Sequence, residues 1–213
     1  MYGKLECSII TIMKTILEKI DKNQNNTDII REAGRILKEG GLVAFPTETV
    51  YGLGADALNE DAAKKIYAAK GRPSDNPLII HITNMKALEK IVSEVPEKAV
   101  KVAEKYWPGP LTMIFNKSDI VPYGTTGGLD TVAVRMPVDE IAREVIDAGG
   151  GYIAAPSANT SGRPSPTTAQ HVAEDLTGRV DMIVDGGAVE IGVESTILDM
   201  TVCLLYTSDA ADD

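Results

Sequence analysis

The chain has 213 residues, of which 44% are hydrophobic and 24% are charged, a composition typical of a globular protein with its own core. Its 31 acidic and 21 basic residues give a net charge of −10, which argues against non-specific binding to nucleic acid, because that binding needs Lys and Arg to neutralise phosphates. A local basic cleft for a small polyanion, such as a nucleotide, remains compatible with this charge. No apolar run reaches the ~20 residues of a membrane span and no secretory signal is recognisable, so we expect no membrane contact and a cytoplasmic location.

Both ends of the chain differ in character from the sequence between them. Residues 1–12 precede the stretch MKTILEKID, which resembles a natural start at Met13; we favour upstream translation as their origin, with a short extra strand as the alternative. The final CLLYTSDAADD, residues 203–213, resembles the translation of a sequencing-library adaptor, with a genuine polar tail as the alternative, and we exclude it from the expected fold. The only two cysteines fall in these ends. Residues 13–202 are therefore predicted to form the domain, without a disulfide, a thiol nucleophile or a cysteine-based zinc site.

Helical and extended patterns alternate between the two ends. The first helix, NTDIIREAGRILKEGG, has Thr27 as a plausible cap, apolar residues on one face and a Gly-Gly end. Further helices are predicted at NEDAAKKIYAAKG, MKALEKIV, PEKAVKVAEKYW, DEIAREVIDAGG and TTAQHVAEDL, the last capped at Thr167. Strands are predicted at LVAFP, PLIIHI, LTMIF, DTVAVRMP, GYIAAP, VDMIVD and ESTILDM. This alternation predicts an α/β domain with an open sheet covered by helices, in which ligands tend to bind at strand-end loops.

The segment FPTETVYGLGADA follows the first of these strands. It places Thr47, Glu48 and Thr49 at the strand end and then supplies Gly52 and Gly54. The glycines would let the backbone approach a ligand closely, although a turn capped by hydroxyl groups is the plainer interpretation. No G-x-x-x-x-G-K-[ST] sequence occurs in the chain, so this segment is not a P-loop.

Two cations, Lys70 and Arg72, stand at the end of the second helix in the segment KGRPSDNPLIIHI. Cations at this position stabilise the carbonyl end of a helix, and that structural role is one interpretation. The alternative is a phosphate clamp, with Lys70 as a point charge, Arg72 as a planar fork and Asn76 as an amide donor. His81, in the strand that follows, is either a satisfied core residue or a neutral donor and acceptor for a ligand.

Three later segments place polar side chains beside buried strands. Arg135 ends the strand DTVAVRMP, where a ligand's carboxylate would satisfy it, because an unpaired buried charge is costly. The segment AAPSANTSGRPSPTT is a row of short donors with one arginine, which either caps the next helix or binds phosphate and ribose oxygens. The segment GAVEIGVESTILD brings Glu194, Ser195 and Thr196 to the last strand.

These segments, in this order and at this spacing, are similar to those of the YrdC-like threonylcarbamoyl-AMP synthase family. The similarity covers about residues 40–199 and includes the family's K-x-R and S-x-N pair, formed here by Lys70, Arg72, Ser157 and Asn159. The resemblance implies an open, twisted, mixed sheet in a single domain with a central positive cleft. It also implies the conversion of L-threonine, bicarbonate and ATP to threonylcarbamoyl-adenylate and pyrophosphate. A partner complex would then transfer the threonylcarbamoyl group to an adenosine next to the anticodon of certain tRNAs.

The resemblance further implies the residues of the site. Lys70 and Arg72 would be catalytic, since they would stabilise the leaving pyrophosphate and the transition state. Mg²⁺ would enter with ATP, held mostly by phosphate and water rather than by a protein site. The residues implied on the ATP side are Lys70, Arg72, Asn76, Thr131, Ser157, Asn159 and Ser165. Those implied on the threonine side are Thr49, His81, Arg135, the Ala155 backbone and Ser195.

The resemblance stops before the family's pattern does. The family continues beyond ESTILDMT into another strand and an arginine that also contacts ATP, and some relatives have a second C-terminal domain. We therefore expect the sheet to lack an edge strand and the nucleotide to lack one cation.

Two other functions are compatible with the same fold. One is a non-catalytic module that binds double-stranded RNA or tRNA, against which the net charge argues. The other is the carbamoyl-transfer module of hydrogenase maturation factors, which usually adds an acylphosphatase-like domain and CxxC zinc motifs.

Overall fold

The computed structural model describes residues 14–21 and 24–202, together with the backbone of 204–207. The predicted upstream extension, residues 1–12, lies outside the described residues, as do Cys203 and residues 208–213 of the predicted tail. The helices are α1 (Thr27–Lys38), α2 (Glu60–Lys70), α3 (Met85–Ile91), α4 (Glu97–Tyr106), α5 (Tyr123–Thr126), α6 (Glu140–Ala148) and α7 (Ala169–Leu176). The strands are β1 (Ile16–Lys19), β2 (Val43–Phe45), β3 (Gly52–Asp56), β4 (Ile79–His81), β5 (Leu111–Asn116), β6 (Thr131–Arg135), β7 (Ile153–Ala154), β8 (Met182–Asp185), β9 (Thr196–Asp199) and β10 (Leu204–Thr207).

Every helix that the sequence predicts is present, and each predicted strand has a counterpart among β2 and β4 to β9. The sequence misses α5, β1, β3 and β10. Strand β3 is missed because its residues, GLGAD, include two glycines, which disfavour a strand in isolation. In the structure β3 pairs antiparallel with both β2 and β7, and these two neighbours hold it extended.

The strands form one mixed sheet in the order β1-β8-β2-β3-β7-β4-β6-β5-β9-β10. The parallel pairs are β1 with β8, β2 with β8, β4 with β6 and β5 with β9, and the other neighbours are antiparallel. The predicted α/β class and open mixed sheet are therefore confirmed. In the described part of the chain, no helix is both long and apolar enough to cross a membrane.

Two predicted helix caps are each one residue away from the observed position. Asn26 occupies the cap position of α1, its side chain bonds to Asp21 and Gln24 rather than to the helix, and Thr27 is the first helical residue. At α7 the cap is Thr168, whose hydroxyl accepts from the backbone N–H of His171, and not Thr167. Neighbouring Ser, Thr and Asn residues are equally good caps by type, so only the backbone path decides between them.

The two faces of the sheet pack on different helices, because alternate residues of a strand point to opposite faces. On one face Leu53 and Ile80 belong to a core formed with α2, α3, α4 and α7. On the other face Val43, Phe45 and Ile153 pack beneath α1 and α6. This second core includes residues of β2, β7 and β8 but none of β4, β5, β6 or β9.

The second face is consequently left uncovered by α1 and α6 along β4 and β6. Ile79, Thr131 and Ala133 lie on that face and are partly exposed, whereas Ile80 and Val134, on the opposite face, are fully buried. We call this stretch the open face. It forms a floor on which a ligand can lie directly against the sheet.

The edge strand that we expected to be missing is present as β10. Leu204–Thr207 runs antiparallel to β9, with Leu204 opposite Asp199 and Thr207 opposite Thr196. Excluding this segment from the fold was therefore wrong, although its assignment to an adaptor stays a prediction. Because β10 supplies hydrogen-bond partners, β9 is paired on both sides, with β5 and with β10.

Candidate active site

Lys70 joins the end of α2 to a distant loop. A left-handed Gly71 (φ 64°) ends the helix, so that Lys70 is its last residue. The Lys70 side chain is buried, and its Nζ donates to the carbonyl oxygens of Ser157 (2.5 Å) and Asn159 (2.6 Å) and to Oδ1 of Asn159 (3.3 Å). The plainer interpretation, a cation beside the carbonyls of its own helix, is wrong for this side chain. The structure brings Lys70, Ser157 and Asn159 into direct contact.

The charge of Lys70 is disfavoured by burial, and an anion would favour it. Burial lowers the pKa of Lys70 to about 7, and the neighbouring charge of Arg72 acts in the same direction. The three oxygen acceptors around Nζ match the three N–H bonds of an ammonium and favour its charged form. A phosphate at this position would raise the pKa, because an opposite charge stabilises the ammonium.

The loop between β7 and α7, residues 155–168, is held in place from both of its sides. The side-chain amide of Asn159 donates to the carbonyl oxygens of Arg163 (2.6 Å) and Thr160 (3.0 Å). Arg163 in turn pairs with Asp175 of α7. On the other side, Ser157 forms an isolated antiparallel bridge with Gly52 of β3. The donors of this loop are thus preorganised before any ligand binds.

The remaining ATP-side candidates lie at two other places. Asn76 lies three residues before β4, and Thr131 is the first residue of its parallel partner β6. The backbone carbonyl of Asn76 accepts from the Tyr67 hydroxyl (2.9 Å). Ser165 donates to Oε1 of Glu194 (2.5 Å), across to the loop between β8 and β9, residues 186–195.

The threonine-side candidates form a row that continues the open face, and unlike Ile79 and Ala133 they are buried. His81 of β4 and Thr112 of β5 are both in register with Arg135 of β6, so the three side chains point the same way. Arg135 donates from Nη1 to the Thr49 hydroxyl (2.8 Å), and the hydroxyls of Ser195 and Thr112 are hydrogen-bonded (2.7 Å).

Ala155 adjoins this row. Its backbone N–H donates to the carbonyl of Ile79 (2.9 Å), two residues before His81. The five candidates of the threonine side therefore lie in one connected region: Thr49, His81, Arg135, Ala155 and Ser195.

Arg135 has a partner within the chain itself. Its Nη2 donates to Oε1 of Glu48 at 2.6 Å, and both side chains are at least 95% buried. The sequence expectation was that a ligand's carboxylate satisfies this guanidinium, but Glu48 takes one of its donors. Glu48 lies in the loop between β2 and β3, residues 46–51, and local pattern does not single it out as a site residue. The available signal was that a buried arginine needs a carboxylate and that TET supplies one at a strand end.

His81 is neutral in this environment. Burial lowers its pKa to about 3, and the charge of Arg135 acts in the same direction. Its Nδ1 donates to the carbonyl oxygen of Ile79 (3.2 Å), which leaves Nε2 as a hydrogen-bond acceptor. A ligand hydroxyl is the natural complement of such an acceptor.

The glycines Gly52 and Gly54 have a packing role rather than a ligand-approach role. A Cβ at Gly54 would lie 2.6 Å from the ring of Phe45 and 2.9 Å from Ile153. At Gly52 a Cβ would meet Ala155 at 3.3 Å. The side chain of Phe45 therefore occupies the space next to Gly54 in which the sequence predicted a ligand.

A separate cavity of about 450 Å³ lies between α1, α2 and the start of β8. Its cations already have partners, since Lys65 donates to the carbonyl of Gly40, Arg179 donates to the carbonyl of Ala69, and Arg35 pairs with two glutamates. In the described part of the chain, no group of three or more His, Cys, Asp or Glu side chains is arranged to hold a metal ion. The buried, chemically diverse groups are on the open face, where we place the candidate site.

The chain is similar to known proteins over most of its length. The Sua5/YciO/YrdC family model, described as telomere recombination, matches residues 35–205. The threonylcarbamoyl-AMP synthase of Pyrococcus abyssi (strain GE5 / Orsay) is 56% identical to this chain over 192 residues, which cover 90% of this chain. The threonylcarbamoyl-AMP synthase of Bacillus subtilis (strain 168) is 54% identical over 190 residues, which cover 87% of this chain. The solved structure of P. abyssi Sua5 complexed with L-threonine matches with a TM-score of 0.81 and 56% identity, covering 90% of this chain and 55% of that chain.

The match accounts for 55% of each of these two synthases, so the chain spans about half the length of the curated relatives it matches.

Proposed function

The chain belongs to the Sua5/YciO/YrdC family, and we propose that it acts as an L-threonylcarbamoyladenylate synthase. The reaction joins L-threonine, bicarbonate and ATP into threonylcarbamoyl-adenylate and releases pyrophosphate. The observation that supports this proposal most directly is the pairing of two different sites in one fold. One is the cation and amide cluster of Lys70 and Asn159, and the other is the buried Arg135 site with His81 and Thr49. The printed names of the relatives point to the same reaction.

The spacing along the sheet suits an elongated pair of substrates. Thr131 and Arg135 stand on the same face of β6, four residues apart, which corresponds to about 13 Å at a rise of 3.3 Å per residue. An adenylate bound near Thr131 and an amino acid bound at Arg135 would therefore meet between them, over Ala133. The floor is partly exposed there, which leaves room for a ligand.

The chemistry requires little beyond positioning and charge neutralisation. Threonine and bicarbonate condense to a carbamate with loss of water, and a carbamate oxygen then attacks the α-phosphorus of ATP. The new bond joins that oxygen to phosphorus, and the bond from the α-phosphorus to the bridging oxygen breaks, so that pyrophosphate leaves. The carbamate is already an anion, so this attack needs no general base. Lys70 and Arg72 would stabilise the charge that develops on the leaving oxygens.

The threonine would be recognised by the row on the open face. Arg135 offers a guanidinium suited to its carboxylate, and the neutral His81 offers Nε2 to its hydroxyl. Thr49 and Ser195 add hydroxyl groups, and the backbone of Ala155 completes the set. These roles extend the family resemblance to this chain residue by residue.

We extend the proposal to cofactors and partners. Mg²⁺ would be bound by the triphosphate oxygens and by water, where it would neutralise phosphate charge. The unstable adenylate product would pass to a complex that transfers the threonylcarbamoyl group to tRNA, with weak contact of this chain to the tRNA. A reaction that consumes ATP and serves tRNA would take place in the cytoplasm.

The test is direct. The purified protein is incubated with Mg-ATP, L-threonine and bicarbonate, pyrophosphate is followed by a coupled assay, and the adenylate is identified by mass spectrometry. We expect pyrophosphate only when threonine and bicarbonate are both present. Pyrophosphate release that ignores threonine, or none at all, would contradict the proposal.

The two alternatives are not favoured by the comparisons, because the high-identity relatives are named as synthases. A non-catalytic RNA-binding module would bind a tRNA anticodon arm without producing pyrophosphate. A carbamoyl-transfer module would give no threonine-dependent product. Both outcomes are separated from the synthase by the same assay.

A further inference from the structure

The buried pair of Glu48 and Arg135 leaves two of its own atoms unsatisfied. Arg135 donates from Nη2 to Oε1 of Glu48 and from Nη1 to the hydroxyl of Thr49. Its Nε has no hydrogen-bond partner, and neither has Oε2 of Glu48. Side-chain exposure is 5% for Arg135 and 3% for Glu48, so bulk water does not supply the missing partners.

Such atoms are unusual and call for an explanation. Buried polar atoms in proteins nearly always have a partner, and an unpaired atom of a charged group is among the most costly exceptions. Within the described residues, these are the buried side-chain nitrogen and oxygen atoms that have none. They belong to one ion pair, and one is a donor while the other is an acceptor. The pair is therefore complementary to a ligand that presents an acceptor and a donor close together.

An α-amino acid is such a ligand, with a carboxylate and an amino group on the same carbon. Resting on the proposed function, we infer that Glu48 is a specificity-determining residue whose Oε2 accepts a hydrogen bond from the α-amino nitrogen of the substrate. Nε of Arg135 then faces the substrate's carboxylate. The hydrogen bond to Glu48 survives the reaction, because the carbamate that forms on the α-amino nitrogen still has one N–H to donate.

The α-amino group fits Glu48 better than the substrate's hydroxyl does. Before carboxylation the amino group is an ammonium, and a buried carboxylate favours a cation over a neutral hydroxyl. The hydroxyl already has a complement in the neutral His81, whose Nε2 is an acceptor because Nδ1 donates to Ile79. Glu48 would therefore accept from the α-amino group of threonine, and His81 would accept from its hydroxyl.

A purely structural role for Glu48 is the competing explanation, in which it only holds Arg135 in place. The substitution Glu48→Gln separates the two explanations. Its amide oxygen can still accept from Nη2 of Arg135, while the free acceptor becomes an NH₂ donor. The hydrogen bond that positions Arg135 survives this change, and acceptance from the substrate does not.

The experiment measures binding rather than turnover. Titration calorimetry without ATP compares L-threonine with two analogues, L-2-aminobutyrate, which lacks the hydroxyl, and (R)-3-hydroxybutyrate, which lacks the α-amino group. We expect Glu48→Gln to weaken the binding of L-threonine and of L-2-aminobutyrate at least tenfold. The binding of (R)-3-hydroxybutyrate should be no weaker than in the wild type. The control variant is Glu144→Gln on the exposed side of α6, which should bind all three like the wild type.

Three results would overturn the inference. One is equal weakening of all three ligands by Glu48→Gln, which would indicate loss of Arg135 placement. Another is unchanged binding of L-threonine. The third is a selective loss for the two hydroxyl-bearing ligands, which would assign Glu48 to the hydroxyl. If Glu48→Gln does not fold by circular dichroism, Glu48→Asp gives the same comparison, since it keeps the charge but withdraws the acceptor by one methylene.

Failure of this inference and failure of the proposed function are distinguishable. A wild type that produces threonine-dependent pyrophosphate, with Glu48→Gln binding threonine normally, overturns the inference alone. A wild type whose threonine binding depends on Glu48 but that produces no pyrophosphate supports the inference and overturns the synthase proposal. A wild type that binds no threonine overturns both.

Discussion

Nζ of Lys70 lies 2.6 Å from the carbonyl oxygen of Asn159, a residue 89 positions further along the chain. This bond connects the end of α2 to the loop between β7 and α7, and it does so beneath the surface, because both side chains are buried. Arg72 stands two residues later and remains partly exposed. The two cations of the K-x-R motif therefore have different structural environments, and their substitution should have different consequences.

Arg72→Ala should lower turnover at least tenfold while the free energy of unfolding changes by less than about 0.5 kcal/mol, as is usual for partly exposed positions. The reason is that a cation near developing phosphate charge acts in the transition state rather than in the fold. Pyrophosphate release and urea unfolding measure the two quantities. Lys64→Ala, which removes an exposed cation from the same helix, is the matched control and should leave both unchanged. Near-normal turnover of Arg72→Ala would contradict the catalytic assignment.

The stability of the wild type relative to Lys70→Met should rise between about pH 7 and pH 10.5. In the folded protein the pKa of Lys70 is lowered to about 7, whereas in the unfolded chain it is near the ordinary value of 10.5. Between these values the unfolded state binds more protons, so stability increases with pH, by at most about 1.4 kcal/mol per pH unit. Below pH 7 Lys70 is protonated in both the folded and the unfolded state, so the stability difference between the wild type and Lys70→Met should not change with pH. Urea unfolding of both proteins at pH 6, 8 and 10 checks this, and a constant difference over the whole range would refute it.

Removing the cation of the Glu48 and Arg135 pair should destabilise the fold strongly. Arg135→Met leaves the Glu48 carboxylate buried without its cation, and we expect a loss of about 3–5 kcal/mol in the free energy of unfolding. The double variant Glu48→Gln with Arg135→Met leaves no buried charge and should be more stable than Arg135→Met alone. Chemical unfolding of the wild type, both single variants and the double variant gives the coupling energy. Additive effects would show that the two side chains do not interact.

Gly54→Ala should destabilise the protein by about 1–3 kcal/mol, because its Cβ would lie 2.6 Å from the Phe45 ring in a packed core. Gly52→Ala is the matched control, since its Cβ would meet Ala155 only at 3.3 Å, and it should cost less. Adding Phe45→Leu to Gly54→Ala should recover part of the loss by making room for the methyl group. Thermal unfolding of the four proteins tests this, and equal losses at both glycines would disprove the packing explanation.

Local pattern was sufficient for most of the secondary structure. The helices α1, α2, α4 and α6 follow from apolar residues on one face with recognisable ends, and β4 and β6 follow from short apolar runs bounded by proline or glycine. Strand β3 could not be predicted this way, because GLGAD has little strand propensity and is held by β2 and β7 on either side. Strand β10 was missed for a different reason, since its residues had been set aside as foreign to the fold.

The sequence alone determined the α/β class and the candidate residues, including Lys70, His81 and Arg135, because motif order and residue type are written directly along the chain. Only the tertiary structure decided which of these groups meet. Arg135 bonds to Glu48, 87 positions away in the sequence, and Lys70 bonds to Asn159, 89 positions away. Both contacts depend on strand and helix packing that no local pattern encodes. The physical reason is that a buried charge takes the nearest complementary group in space, and that group is set by the order of strands in the sheet.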